Sequence, residues 1–357
     1  MLDITEYEDI TEKLEKQWQE LWEKSLNSNF FNTTKWFKIC RNVFEINKIK
    51  IITITDNKEI VAIFPFQQNK NILFSPGGKY LDNSTILLLN NEAEYIETFL
   101  NFVKKNKYKI IINELSENLA KKFEMYKTCI LEFSSNNPFA NLNFDINEIV
   151  KSKERRAIKS IINKNEDIKV KIFQGKECSE HINDIFDIES KSNKVKKNKA
   201  LFNKEEAKKI FSMISENNEA FLTIFFIGNE KIAHLFGIRT KKKLMAYHMA
   251  YKQEYYKLQP GKIIIYNLLE YLKKNKYEIF DFSRGDSVVK RHFSNNNIRK
   301  YNIYINFGIL LKTKIICKKI KVKVKNKVKE LIKYDGNCNC SRWKFRNRKR
   351  GSKLISQ

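Results

Sequence analysis

The same hairpin pattern occurs twice in this chain, about 170 residues apart, with matching landmarks around each copy. In residues 51–66 two β-rich runs flank the polar turn Asp56-Asn57-Lys58-Glu59. In residues 221–238 the strand Phe221–Ile227, the turn Gly228-Asn229-Glu230-Lys231 and the return Ile232–Phe236 repeat that arrangement. Such runs around a short polar turn read as β-hairpins. Phe31-Asn32 precedes a helical stretch with Trp36, Phe37 and Val43, as Phe202-Asn203 precedes one with Ile210 and Phe211. Asn203 with Glu206 suggests a capping box there. Phe102–Tyr108 is echoed by Tyr271–Tyr277, each after an amphipathic helix and before a strand, Lys109–Asn113 and Glu278–Phe282.

Four landmarks in one order imply two copies of an α/β (α+β) unit: helix, hairpin, more strand, helix, strand. A length of 357 residues with 42% hydrophobic residues suits two packed cores. The expected division is 1–140 for the first domain and 141–165 for a bridging basic helix, then 166–310 for the second domain and 311–357 for a tail. On the bridge, Ile149, Ile158, Ile161 and Ile162 line one side.

The copies diverge at their last shared strand. The first continues Ile112-Asn113-Glu114-Leu115-Ser116, which suggests no chemistry. The second continues Asp281-Phe282-Ser283-Arg284-Gly285-Asp286, followed by Lys290, Arg291 and His292. Two carboxylates, a glycine and several cations at a strand end are what a ligand crevice needs. A salt-laced turn, with Asp281 paired to Arg284, is the structural alternative. Gln259-Pro260-Gly261-Lys262 opens the next helix, where free amides and the positive dipole end favour a phosphate. His248 stands on a strand just upstream and can line an acceptor site or be a core histidine. His234 sits among apolar strand residues. No His, Cys or Asp grouping has metal-ligand or triad spacing, so no metal is expected.

Taken in order, Trp18-x-x-Leu21-Trp22, Phe30 with Trp36, Phe64-Pro65-Phe66, the basic mid-chain helix, Pro260-Gly261 and Asp281-Phe282-x-x-Gly285-Asp286-x-x-x-Lys290-x-x-Phe293 resemble the CelD/BcsL-type branch of the GNAT acyltransferases. That branch is similar in turn to the FemABX peptidyltransferases, and the resemblance spans roughly residues 12–308. It implies two tandem GNAT-like domains, each a mixed twisted sheet flanked by helices, with the acyl donor held by the second. The donor is then acetyl-CoA or another acyl-CoA, its pantetheine between splayed strands and its pyrophosphate at Gln259, Pro260, Gly261 and Lys262. The acceptor is a small molecule, saccharide or peptide. Asp281 or Asp286 serves as general base and Lys290 stabilises charge near the acyl group, with Arg284, Gly285 and His248 on the substrate. One departure is Val289, where the family usually has an aromatic residue before the lysine. A FemABX-like transfer from aminoacyl-tRNA and a non-catalytic membrane scaffold are the alternatives.

Charge bears on docking. Lys+Arg 68 against Asp+Glu 41 gives +27, of which +15 falls on residues 311–357. Within 315–332, Ile316, Ile320, Val324, Val328 and Leu331 suggest a cationic helix suited to an anionic membrane. Arg342–Arg350 interleaves aromatics with cations and suits tRNA phosphates. No apolar run is long enough to span a bilayer. The opening Met1–Glu6 lacks a secretory pattern, and the six scattered cysteines fit reduced thiols. A cytoplasmic protein, peripheral to the membrane through its tail, is therefore expected.

Overall fold

The computed structural model describes residues 2–90, 93–308, 311 and 313. The tail readings, the 315–332 helix, the Arg342–Arg350 segment and Cys317, Cys338 and Cys340 all lie outside the described residues. Residues up to Phe307 form one compact unit.

Each repeat supplies the same series of elements. The first contributes β1 (Leu2–Tyr7), β2 (Ile49–Asp56), β3 (Glu59–Asn69), β4 (Ile72–Phe74), the short β5 (Leu87–Leu88), β6 (Lys109–Ser116) and β7 (Cys129–Asn141). The second contributes β8 (Ile168–Gln174), β9 (Ala220–Ile227), β10 (Glu230–Thr240), β11 (Lys243–Tyr251), β12 (Ile279–Asp281) and β13 (Asn296–Ile305). Both hairpins close with two-residue turns. Asn57 and Lys58 take φ of 48° and 69°, which matches the right-handed twist of the flanking strands. In the second hairpin the strand resumes at Glu230, so Glu230 and Lys231 belong to β10 rather than to the turn.

The strands join one mixed sheet in the order β1-β2-β3-β4-β6-β13-β7-β12-β11-β10-β9-β8, with β5 paired to β3. That order is palindromic with respect to the repeat, because the last strands are exchanged. β13 pairs with β6 of the first repeat, and β7 pairs with β12 of the second. The two exchanged strands then pair with each other from Asn296↔Phe139 to Ile305↔Cys129. A domain boundary at residue 140 is therefore not where the fold divides. The backbone groups of β7 are satisfied by the second repeat, and cutting there would leave open edges on both sides.

Apolar stripes fix the layers. On the helix Ala93–Lys105, Ile96, Phe99, Leu100 and Val103 recur at helical spacing and are buried, with Phe99 stacked on Phe64. The helix Pro260–Lys274 buries Ile264, Leu268 and Leu272 in the second-repeat core with Phe280 and Phe282. A third cluster crosses the repeats, bringing Phe31 and Trp36 against Ile210, Phe211 and Tyr247. The bridge is two helices, Ile146–Ile149 and Ser152–Asn163. Asp145 starts the first through a capping box, and Ile149 and Ile158 are buried with Ile161 and Ile162 packed alongside. Asn203 does not cap its helix: Lys204 occupies the N-cap, without a side-chain bond. Among the described residues no helix is long and apolar enough to cross a membrane.

Candidate active site

The site follows from where a strand pair stops. β11 and β12 run parallel and pair only at Lys243↔Ile279, Leu244↔Phe280 and Met245↔Asp281. β11 then continues to Tyr251, while the segment after β12, kinked where Ser283 and Gly285 take φ of 59° and 89°, stays on β7 through Phe282 N to Pro138 O and Gly285 N to Asn136 O and parts from β11. The strands splay and leave a cavity of about 340 Å³ between Ala246–Met249 and Phe282–Arg284. Ile265, Val289, Lys290 and Asp82 complete its wall. Backbone groups on that edge of β11 beyond Met245 have no partner strand, so a ligand offering amides there can satisfy them.

The first repeat has the same parallel contact, β4 on β6 at Ile72↔Lys109, Leu73↔Ile110 and Phe74↔Ile111. Its gap is closed. Ser75 N donates to Ile111 O at 3.1 Å, and Ser75 Oγ accepts from Asn113 N at 3.3 Å.

Around the open gap the motif residues take distinct roles. Asp281 is held by two donors on Oδ1, Asn137 Nδ2 and Ser283 N, both at 2.7 Å. Burial pushes its carboxyl above the ordinary aspartate value, against the pull of Lys300 and these hydrogen bonds. Arg284 does not pair with Asp281. Its Nε donates to Asp82 Oδ1 at 2.5 Å, its Nη2 to Lys79 O at 2.6 Å, and its Nη1 lies 3.4 Å from Glu114 Oε1. Ser283 Oγ donates to the other Asp82 oxygen. Lys290 Nζ donates to Arg284 O at 2.6 Å and Ser283 O at 3.2 Å, bracing this turn from the cavity wall. Burial lowers its pKa. Gly285 is exposed, and nothing lies within 4 Å of where a Cβ would sit, so its backbone angle rather than crowding calls for glycine. Asp286 is on the surface and accepts from Arg291 Nη1 at 2.5 Å, away from both strands. Of the three expected catalytic residues only Lys290 lies on the wall of this cavity, with Asp281 just beneath it at the last rung.

At the helix start, Gln259 takes φ of 51° and Pro260 occupies the first turn. Gly261 packs on β11, since a Cβ there would come within 3.3 Å of Met249 Cε. Lys262 N and Ile263 N both return to Gln259 O. Lys262 Nζ donates to Glu154 Oε2 at 2.7 Å, and His292 Nδ1 is 3.2 Å from the other Glu154 oxygen.

His248 lines the cavity, but both its ring nitrogens face a buried cluster. Nε2 lies 2.8 Å from Glu189 Oε1 and 2.8 Å from Lys194 Nζ, and Nδ1 lies 3.0 Å from His234 Nε2. Burial, then the Lys194 charge, lower His248 to about 4. Burial is the largest single influence on Glu189 and opposes its ionisation, but the His248 bond and charge, the Phe202 N–H and the Lys194 charge together outweigh it and lower the carboxyl to about 2. No nitrogen of His248 is turned to a substrate.

Asp82, Glu114, Asn137, Glu189 and Lys300 were not among the expected site residues. Glu114 carried a signal, because the repeat places it opposite Ser283. Asp82 sits in a polar loop with no pattern of its own. Among the described residues no group of three His, Cys, Asp or Glu side chains has metal-binding geometry.

Residues 152–291 match the family model described as an acetyltransferase (GNAT) domain, a range containing the whole splayed cleft except Asp82. No curated protein matches the sequence. Among solved structures, a conserved protein from Bacteroides thetaiotaomicron is similar at 12% identity and TM-score 0.55, covering 85% of this chain and all of its own. FemX is similar at 9% identity and TM-score 0.60, covering 85% of this chain and 98% of its own. The C-terminal domain of a putative lysylphosphatidylglycerol synthetase from Agrobacterium fabrum is similar at 10% identity and TM-score 0.53, covering 85% and 96%. These likenesses extend over both repeats and establish a shared fold.

Proposed function

From the match of residues 152–291 to a GNAT acetyltransferase domain model, we propose that the protein transfers an acyl group from an acyl-CoA to an amine or hydroxyl acceptor, with the donor arm in the gap between β11 and β12. The observation that carries this reading is the splay itself: three rungs, then an open cavity walled by Lys290 and Arg284. Holding both reactants there accounts for much of the rate, and fixed positive charge for much of the rest. The acceptor nitrogen or oxygen bonds to the acyl carbon and the C–S bond breaks. The acceptor's proton passes to a carboxylate, for which half-buried Asp281 is better suited than surface Asp286, and the CoA thiolate takes up a proton. Pyrophosphate at the Gly261 N–H and Lys262 requires Glu154 to give up its ion pair.

Titration of the full chain with acetyl-CoA, followed by calorimetry and by release of free thiol, tests this. Saturable binding with thiol release supports it, and neither signal overturns it. A second reading is favoured by the fold shared with FemX and by the +15 of residues 311–357: the donor is an aminoacyl-tRNA, the tail binding its phosphates. Salt-dependent tRNA affinity lost on removing 308–357, without CoA binding, selects it. The acceptor would be a small molecule, saccharide or peptide, and the protein cytoplasmic and peripheral to an anionic membrane.

A further inference from the structure

Glu154 stands on the bridge helix Ser152–Asn163, far from the Asp281–Phe293 motif in sequence, yet it reaches both helices that flank the splay. Its Oε2 accepts from Lys262 Nζ at 2.7 Å, in the first turn of Pro260–Lys274. Its Oε1 lies 3.2 Å from His292 Nδ1, on the short helix Val288–Phe293. The same two helices supply Ile265 and Lys290 to the wall of the donor cavity. Met249, on that wall, is the residue against which Gly261 packs. The carboxylate therefore sits at the Met249 end of the gap, where the helix begins. The Lys262 bond holds it below the ordinary glutamate range, so it is an anion at neutral pH. Side-chain exposures of 16% for Glu154 and 22% for Lys262 leave the pair within reach of solvent.

A phosphate and a carboxylate brought to one ammonium repel each other at close range. Pyrophosphate carries more charge than Glu154 and, in a CoA ester, is anchored by the arm between the strands, so it can take Lys262 from the carboxylate. That displacement weighs on both ends of the reaction. Donor and product have the same phosphates, so the grip on phosphate strengthens or weakens both alike. A weaker grip lets the product leave sooner, the step that limits turnover in many enzymes. We propose that Glu154 is a built-in competitor for the donor's phosphates: it holds Lys262 until pyrophosphate displaces it, and reclaims Lys262 as the product leaves. This rests on the acyl-CoA reading and adds to it a residue that sets donor affinity from outside the donor-binding loop.

The test uses the full chain. Acetyl-CoA, CoA, inorganic pyrophosphate and S-acetylpantetheine, which has the arm without the pyrophosphate, are titrated by calorimetry. Glu154→Gln keeps the shape and an acceptor for Lys262 but removes the charge. It should tighten acetyl-CoA, CoA and pyrophosphate about tenfold, the worth of one nearby charge at a half-exposed site, and leave S-acetylpantetheine unchanged. Glu154→Ala is the second variant and should act in the same direction. In a Lys262→Met background, Glu154→Gln should no longer tighten pyrophosphate. A carboxylate that merely positions Lys262 predicts the opposite sign, a weaker donor. Unchanged or weaker pyrophosphate binding by Glu154→Gln, or equal tightening of S-acetylpantetheine, overturns the inference and leaves the transfer reading standing. Failure of wild type and variant to bind acetyl-CoA, while pyrophosphate tightens as expected, overturns the transfer reading instead.

Discussion

Glu114 and Ser283 occupy equivalent places in the two repeats, both hold left-handed backbone with φ of 57° and 59°, and both reach the same ion pair. Ser283 Oγ donates to Asp82, and Glu114 Oε1 sits 3.4 Å from Arg284 Nη1. A left-handed non-glycine residue costs about 1–2 kcal/mol. The duplicated backbone kink therefore persists in both copies but carries different side chains, and the copies meet at Asp82–Arg284.

Removing Asp82 should expose that dependence. Arg284 would keep its contact with Lys79 O but lose its closest carboxylate. Asp82→Ala should lower unfolding free energy by about 2 kcal/mol in urea titrations, since hydrogen bonds to charged groups are worth about 1.5–3 kcal/mol. Thiol release should fall at least tenfold. The double variant with Arg284→Met should be less destabilised than the sum of the singles, and strict additivity would show that the pair does not act as one unit.

Lys290 separates positioning from catalysis. Its two bonds to Arg284 O and Ser283 O tie the turn after β12 to the helix that follows. Lys290→Met keeps the aliphatic stem and should cost about 1 kcal/mol. If the ammonium also stabilises charge at the acyl carbon, turnover should fall more than tenfold, with donor affinity changed less. A variant with wild-type turnover would leave Lys290 as a structural brace.

The repeat was legible in the sequence because hairpin turns and helix stripes are local patterns. The strand exchange was not, since nothing in Cys129–Asn141 or Asn296–Ile305 states which edge each will join. The same limit hid half of the site. Asp281, Arg284 and Lys290 lie close together in sequence and were readable as a cluster, but Asp82 and Glu114 reach them only through the fold. Glu114 looked inert beside Leu115 and Ser116 because its partner is 170 positions distant, roughly one repeat away. His248 lines the cavity while its nitrogens face Glu189 and His234, neither of which its own strand reveals.

Gly77 supports the Asp82 loop at a distance. It takes φ of 99°, and a Cβ there would stand 2.4 Å from Trp36 Cζ2, a buried ring with no room to yield. Gly77→Ala should therefore destabilise by about 2 kcal/mol, from backbone strain plus the clash. Because Lys79 O binds Arg284, thiol release should fall as well. Unchanged thermal stability would mean the loop relaxes without cost.

Truncations test the exchange. Ending the chain after Phe307 keeps every strand among the described residues, so that protein should fold and bind donor. Ending it after Asn295 removes β13 and leaves β6 and β7 with facing open edges. That protein should be insoluble or proteolysed within minutes under conditions the longer form survives. A folded 1–295 chain that binds donor would show the central pairing to be dispensable.

The histidine cluster sets a pH dependence of stability. In the unfolded chain His248 titrates near the ordinary histidine value of about 6.5, whereas in the fold it is lowered to about 4, by burial first and the Lys194 charge second. Between those values the unfolded state binds a proton that the native state refuses. Stability therefore falls as pH drops through this window, by about 3 kcal/mol for this group. His234, fully buried beside it, is lowered in the same direction. Glu189, lowered to about 2, adds a further loss below its ordinary value of 4.5. Urea titrations from pH 7 to pH 4 should show the decline, and the His234→Gln, His248→Gln double variant should flatten it between 6.5 and 4.5. A wild-type protein equally stable at pH 7 and pH 4.5 would show that the cluster accepts protons in the folded state.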